Sequence, residues 1–380
     1  MVSSNIDTGT AVVVLVLLTI FVALMGVGVA QADQEAGGSE EPLVTGVPAV
    51  LLFVAGGALL IFSAEKFIGY LVRAAEGLGV SLFLLAIVLT GIEFDDAVLG
   101  VATNLEELSG VALGSALGTA LSLTGVTLAL AAIVKPFRVS LPDDYVLLFA
   151  LSPLALVPFA LTGTLTAAHG AVLLGVFVVA LGYIVYRETS GEVPIFRETE
   201  VREVQDGGNV RAMSAELPFV PDWNFPGWAW LGMSLLALAG LVVGAESMAI
   251  ATEGIVASWE LEGTVFGATI ATAVLTFEDV FLTVEPVRRG APEIGVGNVV
   301  GSVIFSVTGN VGVVLLVGSI SVSPSVLVWH LPMLVLSTGL AAYFIWKNEL
   351  RRWHGYVLLA LYAVYWVGSY LLFGGLAMDL

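Results

Sequence analysis

The chain contains no cysteine, and only 13 basic residues stand against 32 acidic ones. Without thiols it can form no disulfide, no thiolate metal site and no thiol redox centre. With so few cations it can build no basic surface for nucleic acid. Charged residues are scarce altogether, 12% of 380, whereas 58% are hydrophobic, which leaves no soluble domain of useful size. Enzyme signatures are missing too. There is no G-x-x-x-x-G-K-[ST] phosphate loop for ATP-driven pumping, no H-E-x-x-H zinc motif and no G-x-S-x-G nucleophile elbow. Gly295-Val296-Gly297 places its third glycine one position too late for a dinucleotide fingerprint. His169, His330 and His354 show no ligand spacing to one another or to an acid. The composition therefore predicts a non-enzymatic membrane protein without a cofactor. A net charge of −19 fits a protein working in high salt, where screening tolerates self-repulsion.

What the chain does have is apolar segments of about 20 residues, long enough to cross a hydrocarbon core of roughly 30 Å. Ten spans are expected, near residues 47–72, 80–105, 110–134, 145–162, 167–186, 227–251, 263–287, 295–319, 324–346 and 354–375. An earlier apolar segment, 11–30, ends close to Ala30-Gln31-Ala32 and is either a cleaved signal peptide or an extra helix. The expected division is thus 1–46 as that segment with an acidic linker, 47–186 as five spans, 187–226 as a connecting loop and 227–380 as five more.

Charge placement tests the count. Arg73 follows the first span, Lys135 and Arg138 the third, and Arg187, Arg197, Arg202 and Arg211 the fifth. Arg288 and Arg289 follow the seventh, and Lys347, Arg351 and Arg352 the ninth. Twelve of the 13 basic residues thus fall on one side, with Lys66 inside the first span as the exception. That side is expected to be cytoplasmic, with loop 187–226 on it and the C-terminus extracellular. Five spans per half is an odd number, so the halves enter the cell membrane from opposite sides. The expected fold is all-α: a multi-pass bundle of two inverted five-helix repeats, a recurrent plan of secondary transporters.

The halves share a sequence pattern at an offset of 183 residues. Ile92-Glu93-Phe94-Asp95-Asp96 returns as Leu275-Thr276-Phe277-Glu278-Asp279, and Gly114, Gly118 and Thr119 return as Gly297, Gly301 and Ser302. Acids at membrane depth are costly and face a partner or a watery path. On a helix Glu93 and Asp96 share one face, as do Thr276 and Asp279. Asp95 and Glu278 sit about 100° round, at the edge of the same cavity or facing a second path. Small-xxx-small glycines read first as helix packing. Thr119 and Ser302 follow those glycines directly and Ser306 lies one turn further on. Their hydroxyls can either reach an ion held by the aspartates or bond back to their own helix. Ala64-Glu65 and Ala245-Glu246 form a weaker shared feature upstream. Carboxylate and hydroxyl oxygens suit a hard cation.

The tract from Gly290 to Ser306, with Gly-Asn-Val-Val-Gly-Ser at its centre, resembles the second alpha-repeat of the calcium/cation antiporter superfamily, which includes the sodium/calcium exchangers. Gly110 to Leu123 is similar to the first. By that resemblance Asp96 and Asp279 take the place of the family's central glutamates. Glu93 and Thr276 take the place of its serines, and Thr119, Ser302 and Ser306 that of its following-helix ligands. Leu123, at the remaining ligand position, cannot coordinate anything. The Thr-Ser-Leu-Pro-Glu signature is absent from both halves. The resemblance implies a secondary antiporter in the lipid bilayer, working by alternating access and exchanging a divalent cation, Ca²⁺ foremost, for Na⁺ or H⁺. A cation channel or uniporter with an acidic selectivity site and an intramembrane aspartyl hydrolase using Asp96 and Asp279 are the alternatives.

Overall fold

The computed structural model describes residues 42–78, 92–190 and 225–374. The N-terminal apolar segment, most of the 187–226 loop and the first half of the second expected span lie outside the described residues. The elements are almost all helical: α1 (Gly46–Leu78), α2 (Phe94–Leu105), α3 (Ser109–Val134), α4 (Asp143–Ala160) and α5 (Ala167–Ser190), followed after the connecting loop by α6 (Gly227–Trp259). Then come α7 (263–289), α8 (Pro292–Val317), α9 (Val326–Trp346) and α10 (Arg352–Phe373). Two-residue strands β1 (Thr164–Leu165) and β2 (Ile320–Ser321) pair antiparallel. Among the described residues eight helices are long and apolar enough to cross a bilayer, and nine when bent α7 counts as one span.

The 183-residue offset carries through the element boundaries. It lays α3 on α8 end to end, the start of α4 on that of α9, and the π-helical turn Leu123–Thr127 of α3 into the π turn Phe305–Asn310 of α8.

α3 and α8 form the centre, with 78% and 89% of their spanning windows buried, against 22% for α5 and 17% for α10. α5 and α10 present Val, Leu and Tyr outward, as a lipid-facing helix should. Glycine makes the central contacts possible. A Cβ on Gly114 would lie 2.3 Å from the Thr264 carbonyl oxygen, and one on Gly118 would lie 2.5 Å from Ala268 Cα. α1 and α6 cross in the same way, since a Cβ on Gly244 would meet the Leu60 nitrogen at 2.7 Å. Small residues let backbones approach where the lipid supplies no hydrophobic drive between helices. The packing reading of Gly114 and Gly118 therefore holds.

The connections gather at two ends. At one, Lys135 Nζ donates to the Arg288 carbonyl oxygen at 2.9 Å and Phe137 bridges to Leu350. At the other, β1 pairs with β2, the Glu262 carboxylate accepts from Val265 N–H at 2.6 Å, and Ser325 Oγ donates to Glu262 at 3.4 Å. Helix α4 runs between these ends, and its 18 residues separate them by about 27 Å.

Gly118→Ala is expected to lower the thermal unfolding midpoint sharply, on the scale of about 1–3 kcal/mol for overpacking against backbone. Gly175→Ala, where a Cβ meets nothing within 4 Å, is expected to leave it unchanged or slightly raised. Equal effects in a thermal-shift measurement would contradict the close α3–α7 contact.

Candidate functional site

The acidic run of the first half does not lie within one helix. Glu93 is extended (φ −85°, ψ 94°) and caps α2, whose first turn holds Asp95 and Asp96. Glu93 and Asp96 therefore do not share a helix face as their spacing suggests. The peptide turns at Glu93, and the exposed N–H groups of a helix start favour carboxylates there. The Phe94 ring packs edge-on against Phe67 of α1 at 5.1 Å, which anchors this start. In the second half the acids lie on continuous helix, and α7 bends by 47° between Gly263–Phe277 and Asp279–Arg289.

Standing outside the start of α2 lets Glu93 reach the other half. Ser306 Oγ donates to Glu93 Oε2 at 3.3 Å and shares its single proton with the Ser302 carbonyl oxygen at 2.8 Å. Glu93 also lies within interaction range of Asp279, Ser302 and Asp96, and Asp96 lies against Thr119. Asn298 Nδ2 donates to Asp279 Oδ1 at 3.4 Å. The structure thus brings Glu93, Asp96, Thr119, Asp279, Ser302 and Ser306 together, drawn from α2, α3, α7 and α8. Asp96 is 2% exposed and Asp279 8%.

Many of these oxygens are buried with no hydrogen bond of proper geometry: Glu93 Oε1, both Asp96 oxygens, Thr119 Oγ1 and Ser302 Oγ. Buried polar atoms are normally paired. Carboxylates gathered in a low-dielectric interior need a positive partner, either a proton or a metal cation. Among the described residues no three His, Asp or Glu side chains suffice to hold a metal by themselves. Any cation here must take hydroxyl oxygens as well, which Na⁺ and Ca²⁺ accept.

The remaining expected residues are placed differently. Thr276 is buried with its Oγ1 unpartnered, one turn before Asp279. Asp95 turns to its own helix-start amides and feels Glu93 and Asp96 only through charge, at the edge of the cluster. The Glu278 side chain lies outside the described residues. Leu123 is fully buried in the π turn of α3. No described hydrogen bond or ion pair joins Glu65 or Glu246 to this cluster. The histidines pack: His169 stacks on Phe159, His354 on Phe344, and His330 Nδ1 bonds Tyr365 Oη at 2.7 Å.

Three asparagines escaped the sequence reading. Asn298 bonds Asp279; Asn104 Nδ2 donates to the carbonyl oxygens of Val314 and Gly318 at 3.1 and 3.2 Å; Asn310 is fully buried. A signal was available. Asn298, Ser302, Ser306 and Asn310 recur every fourth residue along α8. Such a row drifts about 40° per step on an α-helix, and the π turn Phe305–Asn310 takes up the excess residue.

One family model, described as sodium/calcium exchanger protein, matches two segments, residues 48–186 and 229–371. Inner membrane protein YrbG of Escherichia coli K12 is 24% identical over 311 residues, covering 79% of this chain and 90% of that protein. Sodium/calcium exchanger MaX1 of Methanosarcina acetivorans is 27% identical over 134 residues, covering 35% of this chain and 38% of its own. A solved structure of the sodium-calcium exchanger NCX_Mj, soaked with Na⁺ and Sr²⁺, superposes with a TM-score of 0.51 at 21% identity. That match covers 83% of this chain and 96% of the other, and it is a likeness of fold.

The chain's lack of cysteine makes the α2–α8 contact directly testable. Glu93→Cys combined with Ser306→Cys is expected to be bridged by a short bifunctional thiol reagent. Ser306→Cys combined with Leu236→Cys, at an outward-facing position of α6 that is 74% exposed, is not. Mass spectrometry of the digested protein reads the bridge, and its absence from the first pair would contradict the arrangement.

Proposed function

Because the chain belongs to the sodium/calcium exchanger protein family, whose members are membrane transporters of cations and not enzymes, we propose that it exchanges Ca²⁺ for Na⁺ or H⁺ by alternating access. The observation that carries this reading is the reach of Glu93, from the first half, to Asp279 and Ser306 of the second. A pocket shared between two halves can open to either side as they rock about it. Asp96, Asp279 and Glu93 supply charge in this reading; Thr119, Ser302, Ser306 and Thr276 supply hydroxyl oxygens; Asp95 flanks the approach. Glu93 stands where the related exchangers are expected to carry a serine. The additional carboxyl gives the site a group that can trade a cation for a proton.

The proposed architecture is ten spans in two inverted repeats, 47–186 and 227–380, joined by the 187–226 loop. Two observations support it. A single family model matches each half in turn. Phe137 and Ile320, equivalent under the 183-residue offset, pair at opposite ends of α4, one with Leu350 and the other with Leu165. The basic end, marked by the contact of Lys135 with Arg288, is taken as cytoplasmic, which puts the C-terminus outside the cell.

Purified protein in Na⁺-loaded liposomes tests this reading. Uptake of ⁴⁵Ca²⁺ is expected to depend on the outward Na⁺ or H⁺ gradient. Asp96→Asn and Asp279→Asn are each expected to cut it by about a hundredfold, the scale of removing one member of a buried charged contact. Uptake that follows membrane voltage alone, with no counter-ion gradient needed, would replace exchange with a channel.

A further inference from the structure

Asn310 ends the polar row of α8, and both of its carboxamide atoms are buried without a hydrogen-bond partner. The other members of that row have something to face. Asn298 bonds Asp279, while Ser302 and Ser306 lie against Glu93. Asn310 faces α2 at Gly100, where a Cβ would come within 3.3 Å of Asn310 Oδ1. Gly100 is four residues beyond Asp96 and so lies on the same side of α2. Asn310 is likewise four beyond Ser306. The side chain therefore sits one turn past the acidic cluster along both helices, in the seam between them. One turn further on, Asn104 closes the seam by donating to the carbonyl oxygens of Val314 and Gly318.

Building on the exchange reading, we infer that Asn310 is an additional cation ligand, a transit position between the acidic site and the end of the bundle where Asn104 holds α2 to α8. Three points converge on this assignment. An amide oxygen enclosed in the protein and left unpaired is costly, so a cation that arrives and departs accounts for the Asn310 Oδ1 better than permanent packing does. An amide carbonyl is a hard, neutral oxygen ligand for Na⁺ or Ca²⁺. Being uncharged, it holds a cation less tightly than the carboxylates do, and conduction between sites requires binding weak enough to release. The missing side chain at Gly100 leaves room beside the α2 backbone for the Asn310 oxygen and for a Val314 methyl.

Asn310→Leu, close in size and wholly apolar, separates this role from a structural one. In the absence of ions the variant is expected to unfold at a temperature no lower than the unaltered protein, since it removes an unsatisfied buried group. The Ca²⁺ concentration giving half of the maximal thermal shift, and that giving half-maximal ⁴⁵Ca²⁺ uptake, are both expected to rise about tenfold. Asn310→Asp, which keeps an oxygen in place, should stay within about threefold. If leucine does not fit, Asn310→Ala gives the same comparison. A variant that unfolds earlier yet keeps the original Ca²⁺ dependence would overturn the assignment while leaving the exchange reading intact. An unaltered protein indifferent to Ca²⁺ and Na⁺ in both measurements would overturn the exchange reading as well.

Discussion

Carboxylates held away from water must be neutralised, and the described neighbours of the buried acids here are other acids, hydroxyls and the Asn298 amide. Asp96 and Asp279 lie almost wholly inside the protein, and Glu93 bridges the halves by accepting from Ser306 Oγ while lying within electrostatic range of Asp279. Such a cluster is stable only with a cation or protons among its oxygens. Placing it between two halves of one chain couples whatever neutralises it to the relation between those halves.

Much of the architecture can be understood as serving that placement. Gly114 and Gly118 let α3 press against α7 backbone to backbone, which brings the Thr119 and Asp279 helices close together. The extended backbone of Glu93, just before α2 begins, frees a long carboxylate to cross the interface. The matching π turns Leu123–Thr127 and Phe305–Asn310 sit where α3 and α8 pass the acids. An extra residue per turn there lets a row of polar side chains keep one direction along α8.

The sequence was most legible where chemistry is repeated. The 183-residue offset exposed Asp96 and Asp279 together, and the hydroxyls Thr119, Ser302 and Ser306 followed from their positions after the paired glycines. The same offset then aligned whole helices. Legibility failed where backbone geometry overrides spacing. Glu93 and Asp96, three apart, suggested one helix face, yet Glu93 is the extended residue before the helix. Asn298 and Asn310 went unread because the tract around them looks like small-residue packing, and a row of every fourth residue is straight only if the helix loosens by a residue. Asn104 was invisible for a different reason, since its partners, Val314 and Gly318, lie 210 and 214 residues away in sequence.

The central claim is that both halves donate oxygens to one cation pocket. Anomalous diffraction from crystals of the protein grown with Sr²⁺, an electron-rich stand-in for Ca²⁺, tests it most directly. The expected result is one strong peak between α2 and α7, about 2.5 Å from carboxylate oxygens of both halves and from hydroxyl oxygens beside them. Peaks confined to surface acids, with none between those two helices, would contradict it.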